Sequence, residues 1–330
     1  MLTYLARRLV IACMTCLVIS LVTFLIIRLP PGDYVDSLIA NLAGNGSAIS
    51  LEQAQSMRHD LGLDRPLIVQ YALWMLHMAQ GDLGVSMLFR RPVAEVIGDR
   101  LWLTMAVSVS ALFLTWVLAL PIGIYSAVRQ YSWGDYAATT LGFIGLAVPN
   151  FLLALILMYV GFRYFGLSVG GLFSPDYVQA PWSLARAWDL AKHLPLPACV
   201  LALAGTAQLI RIMRANLLDE LRRPYVVTAR AKGLGEARLT LKYPVRAAMN
   251  PFASSMAYIF PSLVSGSIIV SLVLGLPTVG PLLLQALLAQ DMYLAGAIVL
   301  LLGVLTVAGT LVSDLVLMWV EPRLRLGGRA

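Results

Sequence analysis

The sequence predicts an all-α membrane protein with six transmembrane helices and both termini in the cytoplasm. Three observations carry that prediction. Of 330 residues, 59% are apolar and only 12% charged, with a mean hydropathy of +0.81. Several uncharged runs exceed the roughly 20 residues that cross a bilayer as a helix. The charges are also sorted by side. The two termini, the 129–135 loop and the 211–246 stretch carry 15 Lys or Arg and 5 Asp or Glu, whereas the intervening loops carry 9 and 11. The side rich in Lys and Arg is expected to be cytoplasmic. The net charge of +7 therefore follows membrane sidedness and does not call for nucleic acid.

In chain order, Leu9 to Ile27 is the first span, entered after Arg7-Arg8. Leu29-Pro30-Pro31-Gly32 follows it where a signal peptide would carry a small-residue cleavage site, so it reads as an uncleaved helix. Residues 28–100 form an extracytoplasmic region. There Ser50 and Gln53 are spaced as a helix capping box, and Gly81-Asp82-Leu83-Gly84 reads as a turn. Val69 to Met78, with Tyr71 and Trp74, reads as an interfacial segment. Residues 101–330 form a five-helix core. Leu101 to Val128 is the second span, with a kink expected at Pro121. Tyr136 to Phe162 is the third, broken at Pro149-Asn150, and Leu194 to Ile210 is the core of the fourth. Ala247 to Gln290 is too long for one crossing. Pro277, Gly280 and Pro281 divide it into a fifth span and a short apolar segment, Leu282 to Gln290. Met292 to Val320 is the sixth.

The most informative stretch is 214–251, with eight of the 24 basic residues. Pro224 suits the first position of a short helix, where the missing N–H costs nothing. Gly233 suits its end, because glycine takes the left-handed conformation without a Cβ clash. Asp219 and Glu220 precede Arg223 at helical spacing. Arg238, Lys242 and Arg246 recur every fourth residue and are expected to share one face of the next segment, shortened or kinked by Pro244. A merely solvated cationic loop needs no capped helix, so the stretch reads as a docking element.

Other chemistry is missing from the sequence. None of the lysines, Lys192, Lys232 and Lys242, follows a glycine, so no phosphate-binding loop is present. His59, His77 and His193 are scattered and form no zinc pattern. Cys13 and Cys16 lie in an apolar span, where packing is the reading. Asp314, near the inner end of the sixth span, is the ionisable residue within the spans, and it reads as an arginine's partner rather than a proton relay. A stand-alone channel or an ion-coupled carrier is the alternative class. The docking element argues against the first and the scarcity of buried charge against the second. An intramembrane enzyme lacks a catalytic constellation.

The residues carry a family resemblance from Arg7 to Arg325. Arg7-Arg8, Pro31-Gly32-Asp33, Leu61-Gly62-Leu63-Asp64-Arg65-Pro66, Gln70-Tyr71, Gly81-Asp82-Leu83-Gly84, Arg91-Pro92-Val93, Arg100-Leu101, Tyr225 to Leu234 and Glu321-Pro322-Arg323 occur in an order and spacing similar to one group. The chain resembles a membrane permease subunit of the dipeptide/oligopeptide branch of ABC importers, located in the bacterial inner membrane. The wider superfamily's Glu-Ala-Ala signature reads Val227-Thr228-Ala229 here, with Gly233 retained.

The resemblance implies the type I ABC importer permease fold and a complex with a second homologous permease, two ATPase subunits and an extracytoplasmic solute-binding protein. It implies no cofactor on this chain, with ATP and Mg on the ATPases. It assigns ATPase coupling to Pro224, Tyr225, Val226, Val227, Thr228, Ala229, Arg230, Ala231, Lys232, Gly233, Leu234, Gly235 and Glu236. Peptides are the implied solute, and oligosaccharide importers also occur in this branch. Relatives often carry an acidic and an aromatic residue after the fifth span, where this chain has Ser271-Leu272-Val273-Leu274. In the fifth span itself, Ser254, Ser255, Ser262, Ser265 and Gly266 read either as pathway lining or as small-residue helix packing.

Overall fold

The structure, a computed structural model, describes residues 2–29, 31–44, 49–166, 170–254 and 256–320. For 2–7, 9, 41, 99, 165, 204, 251–254, 256–262, 265 and 313–320 it describes the backbone alone. Fifteen α-helices form among the described residues: α1 (Leu2–Arg28), α2 (Tyr34–Gly44), α3 (Leu51–Asp60), α4 (Leu67–Ala79), α5 (Val93–Val128), α6 (Trp133–Ala147), α7 (Asn150–Phe165), α8 (Leu184–His193), α9 (Pro195–Leu221), α10 (Pro224–Ala231), α11 (Glu236–Lys242), α12 (Pro244–Ser254), α13 (Met256–Val273), α14 (Val279–Leu288) and α15 (Met292–Val320). No strand forms among these residues; Val85 and Pro92 make an isolated antiparallel bridge.

Three stretches are long and apolar enough to cross a membrane: Val10–Arg28, Val93–Val128 and Met292–Val312. Two bent pairs bring the number to as many as five. Trp133–Ala147 and Asn150–Tyr164 meet at 106°, and Leu184–Leu203 and Gly205–Leu221 at 54°. The predicted fifth span falls on α13, whose side chains are described only in part. Pro121 lies inside α5 without ending it. Within α5 the non-helical residue is Gly98, at φ 33° and ψ −126°. Glycine tolerates that backbone, while membrane helices can carry a proline by satisfying the freed carbonyl locally.

The chain divides into two compact units, 1–102 with 278–307 and 103–277 with 308–330. In the first unit, the capping box predicted at Ser50 and Gln53 is formed, with Oγ accepting from the Gln53 amide at 3.2 Å. Asp33 and Asp36 cap α2 reciprocally, at 3.0 and 2.9 Å. Arg58, on α3, donates to both carboxylates, to Asp33 at 2.7 Å. Gly81 and Gly84 take positive φ in the predicted turn, and Asp82 accepts from the Gly84 amide. The segment read as interfacial is α4, with one face packed inward and Leu67, Ile68 and Leu76 exposed. Trp74 is buried, 6.3 Å from the Phe24 ring, and its indole lies so close to Gly296 that a Cβ there would meet it at 2.8 Å. The short apolar segment after Pro277 is α14, which buries Val279, Leu282, Leu283 and Ala286 in this unit.

Burial pushes the Asp33 carboxyl up, but hydrogen bonds from Arg58 and the Asp36 and Val35 amides outweigh it and hold it below the ordinary carboxylate range. A depressed carboxylate contributes stability above its unfolded pKa of about 3.9 and loses it as pH falls through the folded value. Asp33→Asn should therefore weaken the α2–α3 junction at pH 7 and flatten its acid dependence. Limited proteolysis of this region between pH 7 and pH 3 measures both, and an unchanged profile would refute the assignment.

In the second unit α9 is central, burying Leu209, Met213 and Leu217 on one stripe. Thr115 Oγ1 donates to the Ala202 carbonyl at 3.4 Å, and Gly205 lies against Thr115. Eight residues on, Gly123 meets Met213, so α5 and α9 run parallel. Gly142 faces Ala207 and Gly145 faces Leu203, so α6 runs antiparallel to α9. Lipid tails are as apolar as leucine, so such helices associate through close packing rather than water exclusion. A Cβ at Gly145 would stand 2.9 Å from the Leu203 side chain. Residues 170–193 also fold tightly. Arg186 stacks on Phe173 and Trp182 and donates to the Ala180 carbonyl, Asp189 accepts twice from Ser174, and the Gly171 amide donates to Leu274 at the end of α13.

Candidate coupling site

The predicted docking helix is α10, and both its ends form as the sequence indicates. Arg223 precedes it in extended conformation and Pro224 occupies its first turn. Thr228 Oγ1 bonds back to the Pro224 carbonyl at 3.0 Å. Gly233 lies beyond the C-cap at φ +78°, its amide donating to the Arg230 carbonyl at 3.0 Å. Leu234 follows, its amide directed to the Ala229 carbonyl, and Gly235 precedes α11. Eight residues make a rod about 12 Å long.

Two ion pairs fix that rod. Glu220, in the last turn of α9, accepts from the Tyr225 hydroxyl at 2.6 Å and lies 3.7 Å from Arg223. Asp219 is the other acidic residue at helical spacing from Arg223; its carbonyl accepts from the Arg222 amide. Burial first, then the Glu220 carboxylate, pushes the Tyr225 hydroxyl up to about 12, so it donates throughout the neutral range. At the other end Arg230 forks onto Glu236 at the start of α11, with Nη2 to Oε2 at 3.0 Å. Each partner's hydrogen bond holds the other charged: the arginine is shifted up and the glutamate down.

Val226 is fully buried, whereas Tyr225 and Val227 are exposed. Ala229 is half-buried beside Val226, and Thr228, Arg230, Ala231, Lys232 and Gly233 are exposed. The outer face of α10 thus presents apolar side chains with a cationic rim. Burial of Leu239 and Thr240 anchors α11 beside it. The shortening expected at Pro244 is there: the helix ends at Lys242, Tyr243 follows as its C-cap, and Pro244 opens α12. Arg238 and Lys242, four apart, are exposed on one face of α11, and Arg246 is exposed on α12.

Of the five residues read as pathway lining or packing, Gly266 lies on α13, half-buried, where a Cβ would stand 4.0 Å from the Asn150 amide nitrogen. Ser255 and the side chains of Ser254, Ser262 and Ser265 lie outside the described residues. So do Glu321-Pro322-Arg323 and the Asp314 side chain. The neighbouring Ser267 is buried and bonds back to the Val264 carbonyl at 2.7 Å. Among the described residues no cluster of His, Cys, Asp or Glu suits a metal ion. His59 and His77 each pair with an aspartate, Asp64 and Asp82. Cys13 and Cys199 are exposed and Cys16 is half-buried.

Two buried carboxylates escaped the sequence reading. Asp135, in the first turn of α6, takes both donors of Arg214, at 2.9 and 2.8 Å. Asp291, ahead of α15, accepts from Ser86 Oγ at 2.6 Å, the Leu88 amide at 2.9 Å and the Leu294 amide at 3.1 Å. Their partners lie 79 and up to 205 residues away, with no local signal linking them.

Residues 119–326 match the family described as binding-protein-dependent transport system inner membrane component. Residues 1–108 match the N-terminal family of the same systems' membrane components. The chain is similar to the oligopeptide transport system permease protein AppB of Bacillus subtilis, with 34% identity over 98% of this chain and 99% of that one. A putative peptide permease protein of Brucella ovis is 33% identical over 99% and 100%. The glutathione transport system permease protein GsiC of Salmonella choleraesuis is 33% identical over 98% and 99%. With both family matches in register along nearly its whole length, the chain belongs to the binding-protein-dependent transport system inner membrane components, multi-pass proteins of the bacterial inner membrane.

Proposed function

We propose that this chain is one of two homologous permease subunits of an ATP-driven importer for di- or oligopeptides, with the type I permease fold. Six helices would cross the membrane, with both termini cytoplasmic. Residues 1–100 would supply the first helix and an extracytoplasmic region, and residues 101–330 the five-helix core. A solute-binding protein would deliver the peptide. Two ATPase subunits would hold ATP and Mg and push on Pro224–Glu236, so this chain would itself carry no catalytic site. The peptide assignment is supported by the names of the relatives, two of peptide permeases and one of a glutathione permease.

One observation carries the reading. A separate capped helix, with exposed Tyr225 and Val227 and a cationic rim, stands directly at the end of the long buried α9. A helix fastened at both ends transmits displacement where a solvated loop would absorb it. Tagged chain purified from cells expressing the whole system should bring ATPase subunits and a second permease with it. Vesicles holding this polypeptide alone should accumulate no peptide. Uphill accumulation by the chain alone, or its purification free of ATPase, would overturn the proposal.

A further inference from the structure

Arg214 stands about two turns before the end of α9 at Leu221 and ten residues before Pro224, on the stretch past the bend at 203–205. Its guanidinium forks onto Asp135, which is only 2% exposed. The acceptor is itself held in place. Asp135 Oδ2 also accepts from the Tyr131 amide at 2.9 Å, with Tyr131 at φ +63°, and the Asp135 amide donates to Ser132 Oγ. Seven residues along each helix, Gly142 lies against Ala207. The ion pair and the glycine contacts thus share one antiparallel register along α6 and α9.

A buried ion pair is poor at adding stability, since apolar residues of similar size often serve as well, but it fixes one geometry. The next break in the chain after α6 is the 106° elbow at Val148-Pro149. Asn150, the first residue past it, has its amide nitrogen 4.0 Å from where a Cβ on Gly266 of α13 would stand.

We propose that the Asp135–Arg214 pair is a positioning strut: it makes α6 travel with α9, so displacement entering at Pro224–Glu236 reaches the Pro149 elbow and, through it, α13. The proposal rests on the coupling reading above. Packing through glycines resists separation of α6 and α9 but permits sliding along their axes. The two-pronged ion pair resists sliding. Without it, α9 moves and the elbow stays.

The test uses the complete complex in vesicles, with spin labels at Phe151→Cys and Ile269→Cys after replacement of the native cysteines. Both positions are exposed, one past the elbow and one on α13. The distance between labels is measured before and after vanadate trapping of nucleotide on the ATPases, a readout that needs no transported solute. Asp135→Asn/Arg214→Gln leaves no uncompensated ion, so it should fold and trap nucleotide as the parent does. Its distance change should fall about threefold or more. Asp135→Arg/Arg214→Asp should recover part of that change. An unaltered change in the neutral pair, or none in the parent, overturns the strut. Gly233→Pro separates the two claims. If it traps nucleotide and still shows the full change, the coupling reading fails; if it abolishes the change while the neutral pair does not, the strut alone fails.

Discussion

Gly233→Pro should reduce ATP hydrolysis by the assembled complex to its unstimulated rate while leaving the chain in the membrane. Proline fixes φ near −65°, and Gly233 stands at +78°. The substitution also removes the amide that bonds to the Arg230 carbonyl. The turn cannot form, so Arg230 and Glu236 lose the geometry of their fork. The end of α10 then becomes a compliant joint. Gly233→Ala bears only the strain of a left-handed residue, about 1–2 kcal/mol, and should keep part of the stimulation. A complementary variant leaves the backbone intact: Arg230→Glu/Lys232→Glu replaces the cationic rim by an anionic one and should also lose stimulation. The measurement is phosphate release with and without loaded binding protein, beside the amount of chain in the membrane fraction. Parent-like stimulation in both Gly233→Pro and the double reversal would refute the role of this helix.

Asp291→Ala should produce the largest loss of stability in the first unit. The carboxylate is fully buried, and three donors depend on it: Ser86 Oγ and the amides of Leu88 and Leu294. Each buried donor left without an acceptor costs about 1–3 kcal/mol, and losing a helix cap costs about 1 kcal/mol. A total on the order of 3–5 kcal/mol would lower the thermal midpoint by roughly 10 °C for a unit of this size. Trp74, buried in the same unit, reports the transition by fluorescence. Asp291→Asn retains one oxygen for the Leu294 amide but turns an N–H₂ group toward the remaining donors, so it should fall between parent and alanine. A midpoint for Asp291→Ala within about 2 °C of the parent would contradict this account.

What was legible in the sequence was local. Pro224 and Gly233 mark the two ends of α10 because their backbone preferences act within a few residues. Ser50 with Gln53 marks the start of α3 for the same reason, as Gly81 and Gly84 mark their turn. Pro149 marks a break, but its angle depends on how α6 lies on α9 and α7 on α13, which no local rule contains. Pro121 lies within α5 without ending it, whereas Gly98, one more glycine in the sequence, carries the departure from helical backbone angles. Asp135 and Asp291 looked like ordinary loop acids. Their significance lies in partners brought close only by the packing of distant helices.

The elbow between α6 and α7 also sets a length. Its legs, of 15 and 16 residues, would reach about 46 Å if straight. Turned through 106°, they reach about 28 Å from end to end, close to the roughly 30 Å of hydrocarbon in a bilayer. If the pair crosses the bilayer as the single span proposed above, straightening the elbow would push apolar side chains into headgroups and water. Acyl-chain length would then enter the energetics of transport as a mechanical variable, a thicker membrane opposing the straightening less.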